Sequence, residues 1–436
     1  MKRVLILTYY WPPSGGAGVQ RWLKFVKYLR EFGWEPVVYT AENGEMPEID
    51  NSLEKDIPKG TEVLKTPIWE PYRAYKALTG QKKEEKINAA FLNENKKKSP
   101  FSKLAVWIRG NFFIPDARKF WIKPSVSFLS NYHKEKPVDA IISSGPPHSM
   151  HLIALGLKQK FPELTWLADF RDPWTNIDFY KDLMLTSLAD QRHKSLEKKV
   201  LNTCDAVISV GKTMSEELFE LSDQTQKKKF FTITNGYDEE DLKHPHTAEK
   251  DKKFSIAHIG TLVKTRNPEI LWQALQELTT ENSEFKKDLE IKLVGKVDVF
   301  VMESLEKYQL QNFVRKINYL PHSDVIAEQQ KSHVNLLLIN NTPNAKGILT
   351  GKFFEYLSAG APILAIGPVN GDAAHILNET TSGYISDFND KIGLKENIMK
   401  LYHKNYPVPD QTAINAYSRK NLTQKLADIL NEFTKN

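Results

Sequence analysis

Five stretches of the sequence hold residue types and spacings that could bind an anion or move a proton. The first, Ser14-Gly15-Gly16-Ala17-Gly18, follows an apolar run and precedes a helical pattern. Paired glycines at such a turn let backbone N–H groups close on an anion, and the helix N-terminus adds partial positive charge. The spacing is not G-x-G-x-x-G, so this is no dinucleotide fingerprint. A plain tight turn is the competing reading. The second and third stretches are Ser143-Ser144-Gly145-Pro146-Pro147-His148 and Asp169-Phe170-Arg171-Asp172-Pro173-Trp174. Each ends an expected strand, on the sheet edge where open α/β folds bind ligands. His148, Arg171 and Asp172 are therefore candidate catalytic residues, able to hold hydroxyls or transfer protons. Plainer roles compete: Asp172 before Pro173 could cap a helix, and Arg171 could pair with Asp169.

The fourth stretch runs from His258 through Gly260, Lys264 and Arg266 to Pro268, again a strand, a glycine loop and a helix, now with cations in the loop. The fifth is the polar loop from Asn340 to Thr350, entering a helix that begins Gly351-Lys352-Phe353-Phe354-Glu355-Tyr356-Leu357. Backbone donors and Lys352 at that helix start suit a phosphate, and Glu355 one turn on suits a sugar diol. An exposed Lys/Glu pair at i, i+3 is the bland alternative.

The elements that must position these loops alternate strand and helix almost throughout, the pattern of parallel sheets with helices on both faces. Strands are expected at 4–8, 36–40, 62–66, 140–144, 166–170, 206–210 and 231–234, and then at 255–259, 290–294, 315–319, 334–339, 362–366 and 383–386. The fold class is α/β, with an N-terminal Rossmann-like domain over 1–238, a charged linker over 239–253 and a second Rossmann-like domain over 254–408. Residues 409–436 hold a last helix, placed about 413–433, with the first domain as the surface for it to pack back on.

The chain has 436 residues, 41% of them hydrophobic and 26% charged, values that exclude collagen-like, disulfide-scaffold and wholly disordered classes. One cysteine, Cys204, closes no intrachain disulfide, and no segment reads as a signal peptide or spanning helix, so a cytoplasmic protein is expected. The net charge of +6 is uneven: residues 71–134 hold 14 Lys and Arg against 4 Asp and Glu. That stretch contains a basic run, 81–98, that reads as a loop, and then an apolar helical pattern over 101–114.

With these motifs in order, the sequence resembles the retaining, nucleotide-sugar-dependent glycosyltransferases of family 4, bacterial surface-polysaccharide type. The resemblance is carried by the Gly15-Gly16 turn, by Asn235-Gly236-x-Asp238, and by the basic loop after Gly260. Its most specific part is Lys352-x-x-Glu355-Tyr356-Leu357-x-Ala359-Gly360-x-Pro362. It implies the GT-B fold, two Rossmann-like domains facing across a cleft. Gly15 and Gly16 would then approach a donor diphosphate, with Arg266, Lys264 and Lys352 neutralising it beside Thr350 and Gly351. Glu355 would hold the ribose, while Gly295, Lys296, Leu320 and Pro321 would frame the base. A second glutamate common in the family eight positions before Glu355 is replaced by Gly347, which puts the identity of the transferred sugar in doubt.

The reading that follows is transfer of a sugar from a nucleoside diphosphate to a hydroxyl acceptor with retention of configuration, without a cofactor or an essential metal, in cell-surface polysaccharide or glycolipid synthesis. A nucleotide-sugar epimerase and a non-catalytic carbohydrate-binding protein share the architecture. The acceptor is expected to be lipid-linked or a glycan, and nucleic acid is not an expected partner. Residues 71–134 mix cations with Phe101, Trp107, Phe112, Phe113, Phe120 and Trp121, a combination suited to the inner face of a membrane. Packing of those aromatics into the first domain is the alternative.

Overall fold

The computed structural model describes residues 1–46, 48–71, 100–242, 249–318 and 320–434; the run 81–98, Tyr319 and residues 243–248 of the expected linker lie outside the described residues. Two units form, one of Met1–Ile233 with Leu422–Asn436 and the other of Thr234–Asn421. The stretch expected as a linker over 239–253 therefore belongs to the second unit. Its anchor is Tyr237, buried, whose backbone bonds to Tyr417 and Arg419 of the same unit.

The first unit is built on a parallel sheet of β1 (Lys2–Leu7), β2 (Trp34–Ala41), β3 (Glu62–Thr66), β4 (Ala140–Gly145), β5 (Thr165–Phe170), β6 (Ala206–Ser209) and β7 (Phe230–Thr232), in the order β3-β2-β1-β4-β5-β6-β7. Strands such as Val4-Leu5-Ile6-Leu7 are buried along their length because helices cover both faces, which is why they read as apolar runs and not as alternation. Helix α1 (Ala17–Leu29) turns Val19, Trp22, Leu23, Val26 and Leu29 into the core at helical spacing, and Gly33 in the left-handed region stops the turn that follows it. The other helices that bear on the sites are α2 (Pro100–Phe112), α3 (Ser149–Lys160) and α4 (Ser187–Thr203).

The second unit repeats the scheme with β8 (Phe254–Ile259), β9 (Leu289–Val294), β10 (Val314–Ile317), β11 (Val334–Leu338), β12 (Ile363–Ile366) and β13 (Gly383–Ser386), in the order β10-β9-β8-β11-β12-β13. Its relevant helices are α5 (His322–Lys331) and α6 (Gly351–Ala359). Each sheet reverses its strand order once, between β1 and β4 and between β8 and β11. Such reversals open a crevice at the carboxyl ends of the strands. All five chemistry-bearing loops leave from those ends, so both domains are Rossmann-like as the alternation predicts.

Three local expectations are corrected. The last helix is broken into Gln411–Asn415 and α7 (Arg419–Phe433), with buried Tyr417 and Ser418 at the break. No helix starts at Pro173, so Asp172 is not a cap, and the next regular turn begins at Asp178. Arg171 does not pair with Asp169, whose carboxylate is occupied by Arg21 at 2.8 Å. Helix α7 packs Leu422, Leu426, Ala427, Ile429 and Leu430 into the same core as Trp22 and Trp34. Leu430 is fully buried there. Leu430→Ala is expected to lower stability by about 2 to 5 kcal/mol in urea denaturation. A loss under about 1 kcal/mol would remove α7 from the core of the first unit.

Candidate functional site

In the first unit the loops are set by a buried ion pair. Asp169, with no exposure, accepts hydrogen bonds from Arg21, from Trp22 Nε1 at 2.9 Å and from Ser144 Oγ at 2.9 Å. Two residues on, Arg171 donates to the carbonyl of Gly18 at 2.8 Å and to that of Pro146. Its guanidinium thus ties the glycine turn to the Pro146-Pro147 loop and fixes both. Gly15 packs against Asp50, and Gly16, in the left-handed region, precedes α1 without any side-chain cap.

His148 and Asp172 come together at a cavity of about 340 Å³ in this unit. Its walls also include Tyr10, Phe113, Trp174, Phe179, Tyr180 and His193, with Arg109, Gly110, Asp116 and Arg118. Arg171 is not among them. The ring of His148 lies flat on Trp174, centroids 4.7 Å apart and planes 3° apart, and its Nδ1 is buried without a partner. Trp174 Nε1 donates to His193 Nδ1 at 3.0 Å, so Nε2 of His193 carries the proton; it is turned toward the Gly110 carbonyl without completing a hydrogen bond. Burial and neighbouring imidazoles hold His148 well below the ordinary histidine value, so it is neutral. Asp172 is open to the cavity, and crowding by its walls raises its carboxyl from the ordinary value against the pull of Arg171.

In the second unit the ammonium of Lys352 lies directly over Gly260, where a Cβ would sit 1.6 Å from Nζ. Gly260 and Gly295 both take positive φ, and a side chain at Gly295 would press on the Gly260 carbonyl at 3.0 Å. Only glycines allow this stack of two loops under a lysine. Arg266 is half-buried and donates from Nε to Asn340 Oδ1 at 2.7 Å. Burial lowers the pKa of Lys352 and of Arg266, with Glu355 opposing and Arg266 reinforcing the shift at Lys352. Thr350 stands at the N-cap of α6 but its hydroxyl makes no capping bond, leaving the first N–H groups toward the loop. Glu355 accepts from Gln329 Nε2 at 3.2 Å. Lys296 and Pro321 are exposed and Leu320 half-buried, following β9 and β10 on the same sheet edge as Gly295. Lys264 is placed differently from the other cations: its ammonium sits 3.9 Å from the centroid of the Phe300 ring.

Sequence reasoning missed several residues that the geometry brings in. His258, buried beside Lys352 and pushed down to about 4 chiefly by burial, supports the cationic loop as a neutral ring. Gln329 and the cavity residues Tyr180 and His193 had no motif to mark them, since each is a single polar residue on an amphipathic helix or turn. Among the described residues no group of three or more His, Cys, Asp or Glu stands together to hold a metal ion.

Residues 238–421 match the family described as Glycosyl transferases group 1, so the second unit carries a domain of that kind. No curated protein matches the chain. Among solved structures, the chain is similar to the lipopolysaccharide outer core galactosyltransferase WaaB, at 11% identity over 99% of both chains and a TM-score of 0.60. Sucrose-phosphate synthase from Thermosynechococcus elongatus gives 13% identity over 99% of both chains and 0.56. A putative UDP-N-acetylglucosamine 2-epimerase from Listeria monocytogenes gives 11% over 100% of this chain and 98% of that one, and 0.53. At such identities the likeness shows the fold, which is GT-B.

The buried titratable groups of the first unit fix its response to pH. His151 is held down to about 3, by burial first, and His148 is lowered too, whereas unfolded imidazoles take up protons near 6.5. The unfolded state then binds more protons below that pH, so these two groups remove stability as pH falls from about 6.5 toward 3. Glu197 works the other way: burial raises its carboxyl to about 6, above its unfolded value near 4.5, so its contribution is lost as pH rises through that window. Glu197→Gln is expected to raise stability by about 2 kcal/mol at pH 7.5 and to leave it nearly unchanged at pH 4, read by urea denaturation. Equal effects at both pH values would show that Glu197 is not buried as a proton carrier.

Proposed function

We propose that this protein is a retaining glycosyltransferase that moves a sugar from a nucleoside diphosphate to a hydroxyl acceptor. The observation that carries the proposal is the placing of Lys352 over Gly260, with Arg266 nearby and Glu355 one turn on, in the segment that matches the group 1 glycosyltransferases. Departure of the nucleoside diphosphate builds negative charge on a phosphate oxygen. Lys352, Arg266 and the N–H groups at the start of α6 stabilise it where it develops. In the glycine turn of the first unit the donor contact falls to Gly16, since the Gly15 N–H is bonded to the Glu48 carbonyl at 2.9 Å, and in the second unit Lys264 reaches the diphosphate by leaving the Phe300 ring. Gly295, Lys296, Leu320 and Pro321 frame the base, and Glu355 holds the ribose hydroxyls. Charge neutralisation rests on these cations, and the reaction needs no metal.

On the acceptor side His148 and Asp172 touch the acceptor, while Arg171 positions the loops that present them. Retention follows if the leaving phosphate takes the acceptor proton on the donor's front face, with no covalent intermediate on the protein. Cell-surface polysaccharide or glycolipid synthesis at the inner face of a membrane is the setting this reading favours. Its support is the outward face of α2, where Leu104, Trp107, Ile108 and Phe112 are exposed, with Lys103, Lys119 and Lys123 near them in sequence. Trp121 is buried and belongs to the core, so the aromatics of this region divide between the two expected roles. Among the described residues no helix is long and apolar enough to cross a membrane.

Incubation with a panel of nucleotide sugars and acceptors tests the reading. Expected are release of nucleoside diphosphate that survives chelation by EDTA, a product with the donor's anomeric configuration by NMR, and about a 10- to 100-fold loss of nucleotide affinity in Lys352→Ala. An altered sugar would mark an epimerase instead, and binding without turnover a carbohydrate-binding protein. Because Gln329 orients Glu355, Gln329→Leu is expected to weaken a ribonucleoside diphosphate about 2- to 10-fold and leave its 2′,3′-dideoxy analogue unchanged in calorimetry. Equal losses for both would detach Glu355 from the ribose.

A further inference from the structure

The cavity of the first unit has a character the transfer reading does not specify. Its half-buried aromatic walls, Phe113, Phe179 and Tyr180, offer apolar surface, Trp174 being covered by the His148 ring, and beside them stand His148 and the carboxylate of Asp172. This alternation suits a ligand that has an apolar face and a rim of hydroxyls. The cations around it are already committed. Arg118 is ion-paired with Glu70 at 2.8 Å and lies over the Tyr9 ring at 4.5 Å. Arg171 spends its guanidinium on the carbonyls of Gly18 and Pro146, and Arg109 is engaged with its own neighbours. Asp116 is also spent, accepting from the backbone and hydroxyl of Ser149 at 2.9 and 2.8 Å at the start of α3. Among the described residues what remains open is the exposed carboxylate of Asp172, beside the 9% exposed ring of His148; His193 is spent on Trp174.

The structure assigns this cavity to an uncharged sugar ring: the acceptor enters as the neutral terminal sugar of a glycan or glycoside, not as a phosphate-bearing head group. A phosphate here would face the Asp172 carboxylate and a neutral His148, and among the described residues the guanidiniums of the lining, Arg109 and Arg118, are held elsewhere, so its desolvation would go uncompensated. A pyranose ring fits, setting an apolar face on the aromatic wall while its hydroxyls reach Asp172 and the edge of His148. The assignment rests on the transferase reading for the word acceptor. It places the reaction as extension of an existing glycan, so that another enzyme class, one that joins the first sugar to a carrier phosphate or alcohol, must supply the substrate.

The test uses the full chain and saturation-transfer NMR backed by calorimetry. The probes are methyl glycosides of glucose, galactose, mannose, rhamnose and N-acetylglucosamine, with the 1-phosphates of the same sugars and inorganic phosphate. At least one methyl glycoside is expected to bind, at least tenfold tighter than its 1-phosphate at low salt. Phe179→Ala should weaken the glycoside, and Asp172→Asn should narrow the gap between glycoside and phosphate. Thermal unfolding of both variants separates loss of the site from loss of the fold, and Asp172→Asn alters an open side chain. Binding of no methyl glycoside, binding of the phosphates as tightly as the glycosides, or glycoside binding indifferent to both variants would each overturn the assignment. Nucleoside diphosphate titration runs in parallel. Glycoside binding without nucleotide binding would sink the transferase reading and leave the sugar cavity standing, and the reverse result would do the opposite.

Discussion

The carboxylate of Asp169 is the fixed point of the first unit. It has no exposure, and it is surrounded by Arg21, Trp22 and Ser144, with Arg21 also donating to the Ile233 carbonyl at 2.9 Å. One anion thus joins α1, β4, β5 and the segment that follows β7. A buried pair of this kind gains little over apolar packing, because both charges are desolvated, yet losing one partner strands the other and costs several kcal/mol. Its value is in register. The Asp169 side chain fixes the end of β5, and Arg171 two residues on fixes the Pro146 carbonyl and the start of α1. Both loops that flank the strand-order reversal are therefore set by one buried contact.

The second unit solves a different problem, holding two cations near each other with Glu355 as the carboxylate that opposes the cost at Lys352. Lys352 and Arg266 sit close enough for their charges to oppose one another, and burial lowers both. Arg266 is oriented by Asn340, which is uncharged, and not by a carboxylate. His258 beneath them is neutral. Such an arrangement is costly without an anion and favourable with one, which is what preorganised stabilisation of a leaving phosphate requires. The two glycines below Lys352 are part of the same device, since any side chain at Gly260 would occupy the place of its ammonium.

Most of the fold was legible because fully buried parallel strands announce themselves as apolar runs and the glycine loops mark where they end. The place of Lys352 and Glu355 was legible for a similar reason: the polar loop and glycine before them mark a loop-to-helix entry at a strand end, and the helix begins at Gly351 as the pattern has it. The roles of Asp169 and Arg171 were not. Their motif invited pairing between neighbours, but β5 ends at Phe170, so Arg171 has left the strand for the loop, and the true partner of Asp169 is 148 positions away in sequence. The cavity was hidden for the same kind of reason, its wall being assembled from segments near 110, 147, 174 and 193 that share no local pattern. Periodicity located α2, but the outward direction of Leu104, Ile108 and Phe112 is a tertiary fact that spacing alone does not contain.

The two units differ in the charge they leave open. The local excess of basic residues in 71–134 suggested an anionic partner for the first unit, but among the described residues of that stretch the cations that line its cavity, Arg109 and Arg118, are already engaged within the protein. The open polar groups described there are the Asp172 carboxylate and the edge of a neutral His148, which oppose a diphosphate. Desolvated cations at a helix start occur instead in the second unit, where a neutral sugar would leave them unpaid. An anionic and an uncharged ligand are thus each favoured by the polar groups of one unit and disfavoured by those of the other, through the cost of burying the wrong charge.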